Sequence, residues 1–353
     1  MELNSLLAQM TERKASDLHL AAGVPPVFRE ADALIAAKAS NLTPEDIETL
    51  LQAAFPEDKL AEARRGSDFS ATLRHEGRTF RCQVFRERGR LAAAIRVIPD
   101  RIYTLDELHL PPVFEALTQS KRGLILVVGP TGSGKTTTLV SMLEHINRTR
   151  SERIFTVEDP INYVLSSKLS LVTQRVVGED VESYEHGLRA VEDADPDIVL
   201  VGELRTPETA RLALELADKG HLVLSQMTAE TVADALARLL ALLGEPHDQA
   251  RRLLARTAEA VIAQRLLRRA DGTGRVAANE ILIATPRVRQ MIVDGQTDTV
   301  SLELAMEARR GVGGFLTRMQ TMDDALLGYY AGGVISRETA ESHLKEKGRL
   351  PAG

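Results

Sequence analysis

The sequence predicts an α/β chain: a parallel-sheet core preceded by a small α+β domain and followed by a mostly helical subdomain. Three observations predict it. Four continuously apolar runs, LILVVG, IFTVED, DIVLVGE and HLVLSQM, alternate with helical segments opening at Thr136, Ser183, Pro207 and Glu230. Short apolar strands separated by helices mark a parallel sheet covered on both faces. Before them lie short alternating stretches. From Leu267 onward come one short strand, EILIA, and several small helices.

At 353 residues the chain has room for two or three domains. With 44% hydrophobic and 27% charged residues its composition is that of an ordinary globular protein, and without Trp its core must be mostly aliphatic. The net charge of −6 argues against sequence-independent binding to nucleic acid, which calls for a basic surplus. A single cysteine, Cys82, excludes an intrachain disulfide and a cysteine-rich zinc module. No apolar run reaches the roughly 18–20 residues of a membrane span. The acid-bearing amphipathic start resembles neither a signal nor a transit peptide. A cytoplasmic protein without direct membrane insertion is expected.

Residues 1–99 open with a Leu-rich helix. ASDLHLAAGVPPVFR then reads as strand, Gly-Val-Pro-Pro turn and strand. TPEDIETLLQAAF starts a helix with Thr43 as N-cap and Pro44 in first position. Arg78 to Phe85 and Arg90 to Ile98 flank a polar turn as a hairpin. Residues 100–112 lack periodicity and are expected to be a linker, 113–266 the core, and 267–353 the helical subdomain. In the core, Thr206-Pro207-Glu208 caps a helix that stops at Gly220.

The chemistry lies in LILVVGPTGSGKTTT, a strand feeding a GxxxxGK[ST] loop that opens a helix. Glycines admit backbone turns closed to other residues, so that amides can approach phosphate oxygens. The helix adds its positive end. The phosphate-binding set is therefore Gly129, Pro130, Thr131, Gly132, Ser133, Gly134, Lys135, Thr136 and Thr137. Lys135 is expected to reach the β- and γ-phosphates of a nucleoside triphosphate and the Thr136 hydroxyl to ligate Mg²⁺. Hydrolysis also needs a residue to orient or deprotonate water. Glu203, ending DIVLVGE at the carboxyl edge of the sheet, is that candidate. Gly202 stands where a metal-holding Asp is common, so Glu158 and Asp159, ending IFTVED, are the candidate carboxylates for the metal, and Glu158 also for catalysis. Arg81 and Arg96 on the hairpin are candidates for the cation that neutralises transition-state charge.

Together these residues resemble the secretion and type IV pilus ATPase family, most closely its pilus-retraction branch, over nearly the whole chain. ASDLHLAAGVPPVFR is similar to that branch's N-terminal signature, EDPINYV to its aspartate box, and DPDIVLVGELRTPET to its acidic motif, in which Gly-Glu is normal. TPRVRQMIVDGQT and MQTMDDALLGYYAGGVISRETA are similar to its C-terminal region, which generic RecA-like ATPases lack. The resemblance implies a PAS-like N-terminal domain, a RecA-like P-loop NTPase core and a homo-hexameric ring with ATP between domains. It implies a motor for twitching motility, coupled to an inner-membrane platform protein and thereby peripheral to that membrane. It also implies that Arg81 and Arg96 approach the nucleotide. ATP rather than GTP rests on the resemblance alone.

The sequence departs from the pattern at the histidine box, which reads Ser225-Gln226-Met227-Thr228-Ala229, with Thr228 in the histidine's place. Asn162 replaces a second acid, and Asp193 an arginine. His221, at a strand start, is expected to be structural. Thr228 can hydrogen-bond phosphate but carries no charge. Two readings stay open: a retraction motor, or an accessory paralogue with attenuated hydrolysis that regulates or assembles with a typical retraction ATPase. A pilus-extension or secretion motor and a nucleic-acid motor are further alternatives.

Overall fold

A computed structural model describes residues 1–30, 33–99, 101–244, 247–301, 304 and 319–350. Asp100 of the expected linker and much of 302–318 in the expected helical subdomain lie outside the described residues. The chain divides into two units, Met1–Arg101 with Pro160–Val164, and Ile102–Asp159 with Leu165–Gly353.

In the first unit, helix α1 (Leu3–Glu12) buries Leu3, Leu6, Leu7 and Met10, spaced to share one face. Strands β1 (Asp17–Leu20), β2 (Val27–Glu30) and β3 (Ala33–Ala36) follow. Helix α2 (Pro44–Gln52) starts where the sequence places it. The Thr43 side chain accepts from the Asp46 amide and the Asp46 carboxylate from the Thr43 amide, satisfying two end donors reciprocally. Helix α3 (Glu57–Arg65) ends at Gly66 in the left-handed conformation. Strands β4 (Phe69–His75), β5 (Arg78–Glu87) and β6 (Arg90–Val97) meander through two tight turns, Glu76-Gly77 and Arg88-Gly89. All four turn residues have positive φ, the backbone twist that suits two-residue hairpin loops. The antiparallel sheet has the order β3-β2-β1-β6-β5-β4. Phe28, Phe80 and Ile95 pack with Leu6, Ile47 and Leu60 of the helices in one core.

The second unit runs α4 (Val113–Thr118), β7 (Gly123–Val128), α5 (Lys135–Thr149), β8 (Arg153–Glu158), β9 (Leu171–Val176), α6 (Tyr184–Glu192) and β10 (Ile198–Val201). It continues with α7 (Pro207–Asp218), β11 (Leu222–Met227), α8 (Val232–Leu243), α9 (His247–Thr257), β12 (Ala258–Arg268), β13 (Arg275–Ile283) and α10 (Pro286–Val293). The sheet order is β13-β12-β7-β11-β10-β8-β9, parallel except for the β12–β13 pair. Every residue of β7 and β10 is buried. Fully burying one such Val, Leu or Ile is worth about 1.5–3 kcal/mol, so these strands form a stiff base for the loops at their carboxyl ends.

Two strands exceed what the apolar runs announce: β9 at one edge, and β12, which lies against β7. The long β12–β13 hairpin carries the sheet across residue 266, and EILIA covers the last residues of its returning strand. Helices Met322–Ala331 and Arg337–His343 pack Met322, Leu326 and Leu344 against Leu267, Val276 and Ala278 of that hairpin. The Tyr329 hydroxyl donates to the Ala277 carbonyl at 2.8 Å. Among the described residues no helix is long and apolar enough to cross a membrane.

Candidate functional site

The parallel strands β7, β8, β10 and β11 end on one edge of the sheet, and each hands on a functional segment. After β7 comes the 129–134 loop. Gly129 has φ 156°, Gly132 φ 79° and Gly134 φ 86°. Gly129 is obligatory for space: a Cβ there would lie 2.3 Å from the Gln264 carbonyl oxygen and 2.5 Å from Ser133 Oγ. Gly134 in left-handed conformation turns the chain into α5, so the free amides of the helix start face the loop.

Lys135 Nζ lies across the loop, donating to the carbonyls of Gly129 and Pro130 at 2.9 Å each. Burial pulls its pKa below the ordinary lysine value, opposed by the charge of Glu203. A half-buried ammonium whose hydrogen bonds go to neutral carbonyls is poised for a stronger anionic partner. The Thr136 hydroxyl donates to Gln226 Oε1 at 3.1 Å. Ser133 Oγ is buried with no hydrogen-bond partner among the described residues. The residues fit a polyphosphate with its cation: a cradle that one Cβ would fill, an orphaned buried hydroxyl, a held ammonium and hard oxygen donors.

Glu203 follows β10 and is partly buried. Its Oε2 accepts from Arg205 at 2.8 Å. A side chain at Gly202 would require Tyr184 to move, since a Cβ would meet the Tyr184 hydroxyl at 2.5 Å and Glu158 Cα at 3.2 Å. Glu158 ends β8 fully inside the unit, its Oε1 accepting from Thr156 Oγ1 at 2.7 Å and Gln174 Nε2 at 3.1 Å. Asp159 beside it is exposed. The structure thus brings residues 129–137, Glu158, Asp159 and Glu203 to one edge.

Arg81 and Arg96 belong to the first unit, where they are directly opposed on β5 and β6. Arg96 Nε donates to Asp17 Oδ1 at 2.7 Å while its side chain stays 62% exposed. Burial alone would raise the Asp17 pKa, but hydrogen bonds from Ser16 and Arg96 hold it below the usual value. Thr228 is exposed after β11. His221 Nδ1 meets the Pro196 carbonyl at 2.7 Å and ties the start of β11 to the chain before β10.

The residue that sequence patterns missed is Gln264 on β12. It is 1% exposed. Its Nε2 donates to the Ser133 carbonyl at 2.7 Å, and its Oε1 accepts from Thr138 Oγ1 at 2.8 Å and Asn279 Nδ2 at 3.1 Å. One amide therefore locks the loop, the first turn of α5 and β13 together. Gln264→Leu leaves the Ser133 carbonyl and the Asn279 amide without these partners inside the protein, at about 1–3 kcal/mol for each unsatisfied group. Urea unfolding is expected to show that loss, and nucleotide titration a weaker affinity because the loop is no longer clamped.

The chain is similar along its length to known proteins. The family model of the type II/IV secretion system proteins matches residues 2–312. The chain is 38% identical to the type IV pilus retraction ATPase PilT of Pseudomonas aeruginosa over 99% of both chains. It is 33% identical to the type IV pilus ATPase PilU of that organism, over 97% of this chain and 88% of PilU. Among solved structures it resembles the pilus retraction motor PilT with bound ADP, with a TM-score of 0.88, 36% identity and 99% of each chain covered.

Proposed function

The chain belongs to the type II/IV secretion system protein family, and from that premise we propose that it is an ATPase motor that retracts a type IV pilus. The observation that carries this reading is the end-to-end similarity to PilT, 99% of both chains, together with an intact phosphate loop. The motor is preferred to the attenuated paralogue, which only the exchanged histidine box supports.

In this reading the amides of the loop and of the start of α5 hold the triphosphate. Lys135 Nζ leaves the Gly129 and Pro130 carbonyls for the β- and γ-phosphates. The Thr136 hydroxyl, with Glu158 and Asp159, would hold Mg²⁺, which when bound would neutralise phosphate charge. Glu203 takes a proton from the attacking water, and its Oε2 is held by Arg205. Arg81 and Arg96 are the candidates to supply charge to the transition state. The chain works as a cytoplasmic homo-hexamer on an inner-membrane platform protein.

A bacterial strain lacking its retraction ATPase provides the test. Expression of this chain is expected to restore surface twitching, and Lys135→Ala not to. If the wild-type chain is stable in the cells but restores nothing, while piliation changes as with an extension motor, the retraction reading fails.

A further inference from the structure

The Thr136 hydroxyl has two tasks in a loop of this kind. A lone pair must face the cation, and the proton must go to an acceptor elsewhere. In this chain the usual acceptor position, just before Glu203, is closed. A Cβ on Gly202 would meet the Tyr184 hydroxyl at 2.5 Å, Glu158 Cα at 3.2 Å and the Val157 carbonyl at 3.3 Å. Glu158 Oε1 is engaged by Thr156 and Gln174, and Glu203 Oε2 by Arg205. The acceptor that Thr136 finds is Gln226 Oε1, at 3.1 Å.

Gln226 is well placed for the role. It lies in β11, in parallel register with Val127 of β7, and its own carbonyl accepts from the Leu204 amide at 2.9 Å. The side chain therefore enters the site from a strand fixed on both sides, which holds an acceptor more firmly than a loop does. An amide oxygen also suits the task chemically. It accepts the hydroxyl's hydrogen bond without adding a negative charge that would itself compete for the cation.

We propose that Gln226 is a positioning residue that holds the Thr136 proton and so aims the hydroxyl lone pair at the cation bound with the nucleotide. It acts only through Thr136. This proposal rests on the nucleotide-binding reading above.

Calorimetric titration with ADP, in excess Mg²⁺ and separately in EDTA, tests it without turnover. The quantity read is the gain in affinity that Mg²⁺ brings. Gln226→Leu is expected to lower that gain about tenfold, the lower end of what second-layer partners of metal ligands contribute, with the affinity in EDTA unchanged. Gln226→Glu, which keeps an acceptor of the same reach, is expected to retain most of the gain. In a Thr136→Val background, Gln226→Leu is expected to be silent, because the pair is then already broken. Gln226→Asn, one methylene too short, is expected to show the same loss and serves if the leucine variant does not fold. The proposal is overturned if Gln226→Leu keeps the full Mg²⁺ gain, if it weakens ADP equally with and without Mg²⁺, or if it still acts in the Thr136→Val background. A wild-type chain that binds ADP in neither condition sinks the underlying nucleotide reading instead, and this proposal with it.

Discussion

Lys135→Ala is expected to lower ATP turnover by about 10²–10³-fold, the scale of losing one preorganised charge donor at the reacting group. The loss should appear in nucleotide affinity as well as in the chemical step. In the wild type the ammonium is partly buried, its pKa held down by burial against the charge of Glu203, and it donates to the Gly129 and Pro130 carbonyls. A polyphosphate replaces two neutral acceptors by charged ones, so affinity gains from the exchange. Alanine removes both the donor and the charge. The fold should survive: Lys135 sits at the first position of α5, outside the apolar core, and alanine is a good helix former. Equal turnover in variant and wild type, measured by phosphate release, would mean that the activity comes from elsewhere.

Glu203→Gln is expected to separate binding from chemistry. The amide keeps the size and can still meet Arg205, but it takes no proton from water. Turnover should fall about 10²–10⁴-fold, the range for losing a general base, while nucleotide affinity stays near wild type. A parallel fall in affinity and turnover would instead give Glu203 a ground-state role. Arg205 is the control for this result. Its hydrogen bond to Glu203 holds the carboxylate from the exposed side, so Arg205→Ala should cost less than removing the base itself.

How legible this was in the sequence differs between parts. The places of the 129–136 loop and of Glu203 at the strand ends could be read directly, because the loop pattern falls in a short window and the flanking apolar runs announce the strands. The N-cap at Thr43 and the hairpin that turns at Arg88-Gly89 were legible for the same local reason. Strand β12 was not. Its AEAVIAQRLLR follows directly on helix α9, its apolar residues fit a helix as well as a buried strand, and only pairing with β7 and β13 decides for the strand. With β12 unread, Gln264 had no address, since its partners Ser133, Thr138 and Asn279 lie 131, 126 and 15 residues away. Gln226 was visible only as part of a departure from a motif. Its hydrogen bond to Thr136, 90 residues earlier, depends on β11 lying beside β7, a contact no local pattern contains.

The 129–136 loop, with Lys135 and Thr136, is expected to hold a nucleoside triphosphate at the carboxyl edge of the parallel sheet. Titration of Mg-ATP into the Glu203→Gln protein, followed by calorimetry, measures that directly because the nucleotide is not consumed. Saturable binding that is lost when Lys135→Ala is added is the predicted result; absence of heat, or binding unchanged by the lysine substitution, contradicts it.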